Sequence, residues 1–216
     1  MHDNSALSDA WFALMQQLAV SPDHAQQGWQ QLQQHYTEPN RAYHNFSHIA
    51  AMLRHLAQSP LTVHDEAVLK LAIWFHDLIY DPKAKDNEVR SAALAVQWMQ
   101  QAGFSTERCD AVNACILATA SHQLSLAAHV PDAALFLDLD LSVLGLPPAQ
   151  YRLYAAAIRK EYAWVAAIPY RLGRAGVLQK FLARSELYFT PYFRQRLEAQ
   201  ARHNLQRERR RLLFFF

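Results

Sequence analysis

The chain has 216 residues, 51% of them hydrophobic and 19% charged, with a formal net charge of +2. That balance belongs to a folded protein with room for a substantial core rather than to a disordered one. A charge so near zero gives no ground for a nucleic acid or an acidic membrane as partner. No run of 18 or more apolar residues occurs, so no membrane-spanning helix is expected. The opening MHDNSALSDAW lacks the basic-then-apolar pattern of a signal peptide. Two cysteines, Cys109 and Cys115, lie six apart in one helical pattern and build neither a disulfide framework nor a zinc cluster. A reducing cytoplasm is therefore the expected setting. With only 5 Gly beside many Ala, Leu, Gln and Arg, the composition favours helix over strand.

Trp11, Phe12, Met15, Leu18 and Ala19 fall at helical spacing and predict an opening amphipathic helix over 8–20. Ser21-Pro22-Asp23 reads as a start signal: a capping hydroxyl, a proline at the first helical position, an acid at the positive end. The helix it opens carries Trp29, Leu32 and Tyr36 and ends near Glu38-Pro39-Asn40. Arg41 to Ser47 is dense in hydrogen-bonding groups. Ser47 is expected to cap a helix from His48 to Leu56, with Ile49, Met52, Leu53 and Leu56 inward. Residues 67–82, AVLKLAIWFHDLIYDP, have almost no polar face and are too long for a typical strand, so a buried helix is expected. Asp81-Pro82-Lys83 breaks the chain, and Asp86-Asn87-Glu88 starts a helix with Leu94, Ala95, Trp98 and Met99 inward and Gly103 past its end.

A helix over 106–119 follows, closed by Thr119 to His122. After Pro131 comes DAALFLDLDLSVLG. Its alternation over 136–142 fits a short strand, but Pro131, Gly145 and the helical surroundings favour helix. Pro147-Pro148 restarts the chain, Tyr151 to Ala166 reads as helix, and Pro169 begins another through Leu182. Thr190-Pro191 begins a long basic helix. Glu198 and Glu208 are interspersed among its arginines, which marks a solvated charged face rather than a nucleic-acid stripe. The terminal Phe214-Phe215-Phe216 either docks on the body or frays. With no repeat and no linker, the chain is expected to form a single all-α domain over 1–216, of about ten helices.

Residues 67–82 also carry chemistry. His76 and Asp77 sit in an apolar run, where a polar group is costly unless something pairs with it. A metal ion satisfies both at once, and neighbouring helix side chains about 100° apart can both turn onto one ion. The plain alternative is a core histidine bonded to its neighbour's carboxylate. His48, at a helix N-terminus, is a workable third ligand; otherwise it forms a solvated pair with His44. Asp138 and Asp140 share an apolar run in which buried carboxylates are costly without a cation. Two residues apart, they point about 200° apart on a helix and cannot both easily reach one ion. His122, at a helix end, is either a surface residue or a contact for a ligand.

The order of one His, a His-Asp pair and a distant Asp resembles the HD superfamily of metal-dependent phosphohydrolases. RxYHNxxHI at 41–49, FHDxxYDP at 75–82 and DNExxS at 86–91 are similar to a bacterial branch of it, which DLDLSVLG at 138–145 and IRKEY at 158–162 also fit. The resemblance implies an HD-type helical domain holding one divalent cation through His48, His76, Asp77 and an Asp of 138–140. Asp140 is the choice because it directly precedes the apolar stretch Leu141 to Leu144. Two imidazoles and two carboxylates suit Mn, Fe, Co, Ni, Zn or Mg better than copper. The implied ion leaves room for water and a phosphate oxygen and acidifies that water. Asp77 then serves both as ligand and as proton acceptor. Glu88 would orient a water or act as general acid, and His122 would stabilise a leaving oxygen. Arg41 offers a fork suited to phosphate, with hydrogen bonds added by Tyr43, His44 and Asn45. Arg159 is a further substrate candidate, or else pairs with Glu161. Trp74, Phe75 and Trp98 belong to the core rather than to a base-stacking site.

The function these residues imply is hydrolysis of a nucleotide or other small phosphorylated molecule, in the cytoplasm, by a monomer or homodimer. Two readings from other classes stand beside it: a metal-containing nucleotide sensor without turnover, and a helical interaction module using its basic C-terminal helix. The intact His76-Asp77 pair favours the enzyme. Neither a glycine-rich phosphate loop nor a G-x-S-x-G elbow is present.

Overall fold

Caps and prolines set most helix starts in this chain. The computed structural model describes residues 5–214, and among them ten α-helices and no strand. They are α1 (Ser5–Gln17), α2 (Pro22–Tyr36), α3 (Phe46–Gln58), α4 (Glu66–Phe75) and α5 (Asn87–Gln101). After these come α6 (Thr106–Thr119), α7 (Ala133–Asp140), α8 (Pro148–Glu161), α9 (Ala167–Leu182) and α10 (Pro191–Leu213). Short 3-10 turns lie at Leu124–Ala127 and Leu141–Gly145. Side-chain oxygens of Ser21, Asp65, Ser105 and Thr190 accept from backbone N–H groups at the starts of α2, α4, α6 and α10, satisfying donors that have no partner within a helix. At the end of α5, Gly103 takes a φ of +83°, the left-handed conformation that glycine adopts without steric cost.

Four expectations about helix ends need correction. The apolar run does not stay helical to Pro82; α4 ends at Phe75. Pro82 has no N–H for the Leu78 carbonyl, which takes a hydrogen bond from Arg41 Nη2 at 2.7 Å instead. The Asp77 carbonyl likewise accepts from Arg41 Nη1, and the Asp81 N–H donates to Asn87 Oδ1. Second, Asn45 and not Ser47 caps α3, its Oδ1 accepting from the Ser47 N–H at 2.9 Å. Third, α7 stops at Asp140 and gives way to the 3-10 turn. Fourth, α8 ends at Glu161 rather than Ala166, because Arg159 draws the Tyr162 and Val165 carbonyls onto its guanidinium. Phe214 is exposed at the end of α10, and Phe215 and Phe216 lie outside the described residues.

The core gathers around α4, which packs on α3, α5, α6 and α7. Beside it an indole cluster joins three helices. Trp11 meets Trp74 edge-on with ring centroids 5.6 Å apart and Trp98 at 5.4 Å. Gly28 makes that approach possible. A Cβ there would lie 2.6 Å from a Trp11 ring carbon and 2.8 Å from Trp98 Nε1. On the far side α9 and α10 pair, and α10 buries the 3-10 turn that follows α7. No helix among the described residues is long and apolar enough to cross a membrane.

Candidate metal centre

Three chain segments converge at one end of the core. His48 comes from the first turn of α3, His76 and Asp77 from the chain just past α4, and Asp140 from the last residue of α7. His48, His76 and Asp77 each present one ligand atom within 4.8 Å of the others. The two Nε2 atoms are 3.2 Å apart, and Asp77 Oδ2 lies 3.0 Å from His76 Nε2 and 3.8 Å from His48 Nε2. Asp140 Oδ1 is 3.1 Å from His48 Nε2 and 3.7 Å from His76 Nε2. The His48, His76 and Asp77 atoms, at such distances, can all lie about 2.1 Å from one ion, while Asp140 packs against both histidines without joining that group.

The far sides of both rings are tied down. His76 Nδ1–H donates to the Ile73 carbonyl at 3.0 Å, which directs Nε2 at the cluster. His48 Nδ1 and the Tyr43 hydroxyl are 3.0 Å apart and share one proton. Both imidazoles are buried, at 4% and 1% exposure, whereas Asp77 and Asp140 open onto a cavity. Burial disfavours a charge on His76, yet the neighbouring Asp77 carboxylate outweighs it and lifts the imidazole to about 9. Asp77 sits well below the usual carboxylate range; burial opposes this, and His76, His44 and His48 prevail. Asp140 is held low in the same way, against burial, by hydrogen bonds from His122 and His48 and by the His76 charge. A divalent cation that displaces the His76 proton would find two imidazole nitrogens and the ionised Asp77 carboxylate, with the Asp140 carboxylate beside the histidines, a set it matches in charge and hardness.

Asp138 and Asp140 part company as their spacing requires. Asp138 turns away and accepts from the Phe189 and Thr190 N–H groups, both at 2.7 Å, and from Thr190 Oγ1 at 2.6 Å. Burial still pushes its carboxyl up to about 6. His122 donates through Nε2 to Asp140 Oδ2 at 2.8 Å. Its backbone has a φ of +49°, unusual for a residue with a Cβ. Arg184 holds that turn by donating to the Ser121 and His122 carbonyls.

The cavity has a volume of about 1140 Å³, and Tyr43, His44, Glu88 and His122 line it together with both aspartates. Three expected substrate contacts are placed elsewhere. The Arg41 side chain has no exposed surface, and its guanidinium is spent on Glu38 and on the carbonyls of His44, Asp77 and Leu78. Asn45 caps α3 and donates to the Arg41 carbonyl. Arg159 binds its two carbonyls and lies 4.4 Å from the Tyr170 ring centroid, without pairing to Glu161.

Glu161, read from the sequence only as an ion-pair partner, has a larger part. Its carboxylate accepts from the Tyr43 and His44 N–H groups, from His44 Nδ1 at 2.7 Å and from the Tyr80 hydroxyl at 2.9 Å. The IRKEY motif contained it, but neither its charge nor its spacing pointed to residues 117 positions away. Also missed were Lys85 and Lys180, exposed cations on the cavity lining, and the tyrosines Tyr154, Tyr162 and Tyr170 on its wall. Comparison with family models, with curated proteins and with solved structures gave no match.

Proposed function

We propose that this chain is a metal-dependent phosphohydrolase of the HD type, acting on a nucleotide or other small phosphorylated molecule. The observation that carries the reading is the His48, His76 and Asp77 cluster with Asp140 against both histidines, buried on its histidine side and open to a large cavity on its carboxylate side. A divalent ion held there would supply the Lewis acidity that polarises a phosphoryl group and acidifies a water. The protein's own groups account for the proton traffic. Asp77 keeps an ionised carboxylate facing the cavity and accepts the proton of the attacking water. As the new P–O bond forms, the ester P–O bond breaks, and the proton taken up by Asp77 passes to the leaving oxygen, which His122, fixed by Asp140, stabilises. Tyr43 fixes the His48 ring, and Lys85 and Lys180 offer the free positive charge on the cavity wall that Arg41 does not.

The test begins with elemental analysis of untagged protein purified without added metal, beside His76→Ala and Asp77→Ala checked for folding by circular dichroism. About one metal per chain, lost in both variants, is expected, since removing a ligand from such a site weakens metal affinity sharply. A panel of nucleotides and generic phosphoesters then reads turnover. Metal with ligand binding but no turnover would move the protein to the sensor class. A wild type that stays empty after incubation with Mn, Co, Ni, Zn and Fe would remove the mechanism altogether.

A further inference from the structure

We infer that the cleft is built for a long, flat phosphoester of about dinucleotide size, laid along α9, and that Gly173 keeps the cleft open to that length. The inference rests on the phosphohydrolase reading and adds the class of substrate. The helix α9 turns Pro169, Gly173, Val177 and Phe181 onto the cavity. Steps of four residues keep them on one face, and at 1.5 Å per residue that face runs for about 18 Å. Its Phe181 end belongs to the chemistry, because that ring packs against His122 with centroids 5.9 Å apart. Its Pro169 end lies more than three helical turns away, where Tyr162 and Tyr170 meet with centroids 6.3 Å apart. The helix α8 faces the same space with Tyr154 and Ile158, one turn apart, and Tyr162 follows just past its end.

The cleft therefore has the two aspartates and His122 at one end, while Tyr154, Tyr162 and Tyr170 line the rest together with Arg174, whose guanidinium lies 5.5 Å from the Tyr154 ring centroid. A phosphorylated sugar or other compact ester would occupy only the His122 end. The volume of about 1140 Å³ exceeds the roughly 300–1,000 Å³ of most small-ligand pockets. Flat aromatic groups suit walls of tyrosine, since each base stacked on an aromatic side chain contributes about 1–3 kcal/mol.

Gly173 stands midway along the wall. It is helical, its φ is not positive, and a Cβ there would meet nothing within 4 Å. Neither backbone conformation nor packing calls for glycine at this position, and glycine inside a helix costs about 0.5–1 kcal/mol relative to alanine. Open space in the cleft is what it provides. Gly176 makes the matched control: same helix, equally open at its Cβ, exposed, and not on the cavity lining.

The experiment compares wild type, Gly173→Leu and Gly176→Leu, all loaded with Mn²⁺. Calorimetry would give Kd for inorganic phosphate, adenosine monophosphate and the 5′-phosphorylated adenine dinucleotide, with turnover of the two nucleotides read separately. Both substitutions raise helix propensity, so unchanged or higher melting temperatures establish folding. The wild type should bind the dinucleotide about tenfold more tightly than the mononucleotide, the worth of one stacked base. In Gly173→Leu that preference should collapse, while Gly176→Leu retains it. A wild type without the preference, or Gly173→Leu with it intact, overturns the inference. Turnover of both nucleotides without length discrimination would leave the enzyme reading standing alone. Discrimination in binding with no hydrolysis would remove the enzyme reading and keep the long cleft.

Discussion

Glu161 has no exposed side-chain surface and ties Tyr43, His44 and Tyr80 together behind the candidate metal site. Burial alone would push His44 down, but Asp77 and the hydrogen bond to Glu161 leave it raised above 6.5. Burial would likewise raise Glu161, yet its bonds from His44 and Tyr43 hold it below 4.5. A raised histidine contributes stability that is full below 6.5 and lost as pH climbs through its folded-state value. A depressed carboxylate contributes above 4.5 and loses it as pH falls through its own. The pair is therefore worth most between 4.5 and 6.5. Glu161→Gln should cost about 1–3 kcal/mol in urea denaturation at pH 5.5, with a narrower gap at pH 9. A gap independent of pH would show that His44 and Glu161 do not act as an ion pair. The two aspartates of α7 separate in the same manner. Asp138→Asn should destabilise by about 1–3 kcal/mol through its lost loop contacts while metal content holds. Asp140→Asn should instead weaken metal affinity about 10–100-fold, along with a loss of apoprotein stability from its bonds to His48 and His122. Opposite results would exchange the two roles. The sequence spacing placed these residues on different sides of a helix; it did not say which side faced the cavity, because that depends on where α3 and Thr190 pack.

At the scale of elements, helix starts were more legible than helix ends. Ser21-Pro22 and Thr190-Pro191 carry their own caps, as does Gly103 at the end of α5, so local chemistry decides there. The ends of α4 and α8 are decided by guanidinium groups that take carbonyls away from the helix, and for α4 the donor, Arg41, lies 36 residues upstream. No period in residues 67–82 reports it. Close approach between elements was equally invisible, and Gly28 is the sharpest case. Gly28→Ala gains about 1 kcal/mol of helix propensity but forces a methyl into the Trp11 and Trp98 rings, an overpacking worth about 1–3 kcal/mol. The net expectation is a lower melting temperature, in contrast to a rise for Gly176→Ala. A Gly28→Ala variant as stable as wild type would mean that the indoles shift freely.

Across the whole molecule, the all-α class was readable from composition and pattern, and the core aromatics Trp74, Phe75 and Trp98 lie where hydrophobicity predicts. The site was readable as residue types, and its arrangement was not. His48, His76 and Asp140 are brought together only because α3, α4 and α7 pack on one another. Metal binding at such a junction should couple to global stability. At about 100 times Kd, a bound divalent ion adds roughly 2.7 kcal/mol, so chelation should lower the melting temperature of wild type and leave His76→Ala unmoved. An identical loss in both would place the metal elsewhere.

His122 holds a left-handed backbone, a conformation that costs a non-glycine residue about 1–2 kcal/mol. Asparagine eases the backbone but gives up the 2.8 Å hydrogen bond to Asp140, so His122→Asn should keep a melting temperature near that of wild type while turning over phosphoester more slowly. Selection for thermal robustness alone would therefore be indifferent to this histidine, whereas selection for turnover would retain it. In a directed-evolution experiment, position 122 is where the two pressures should pull apart.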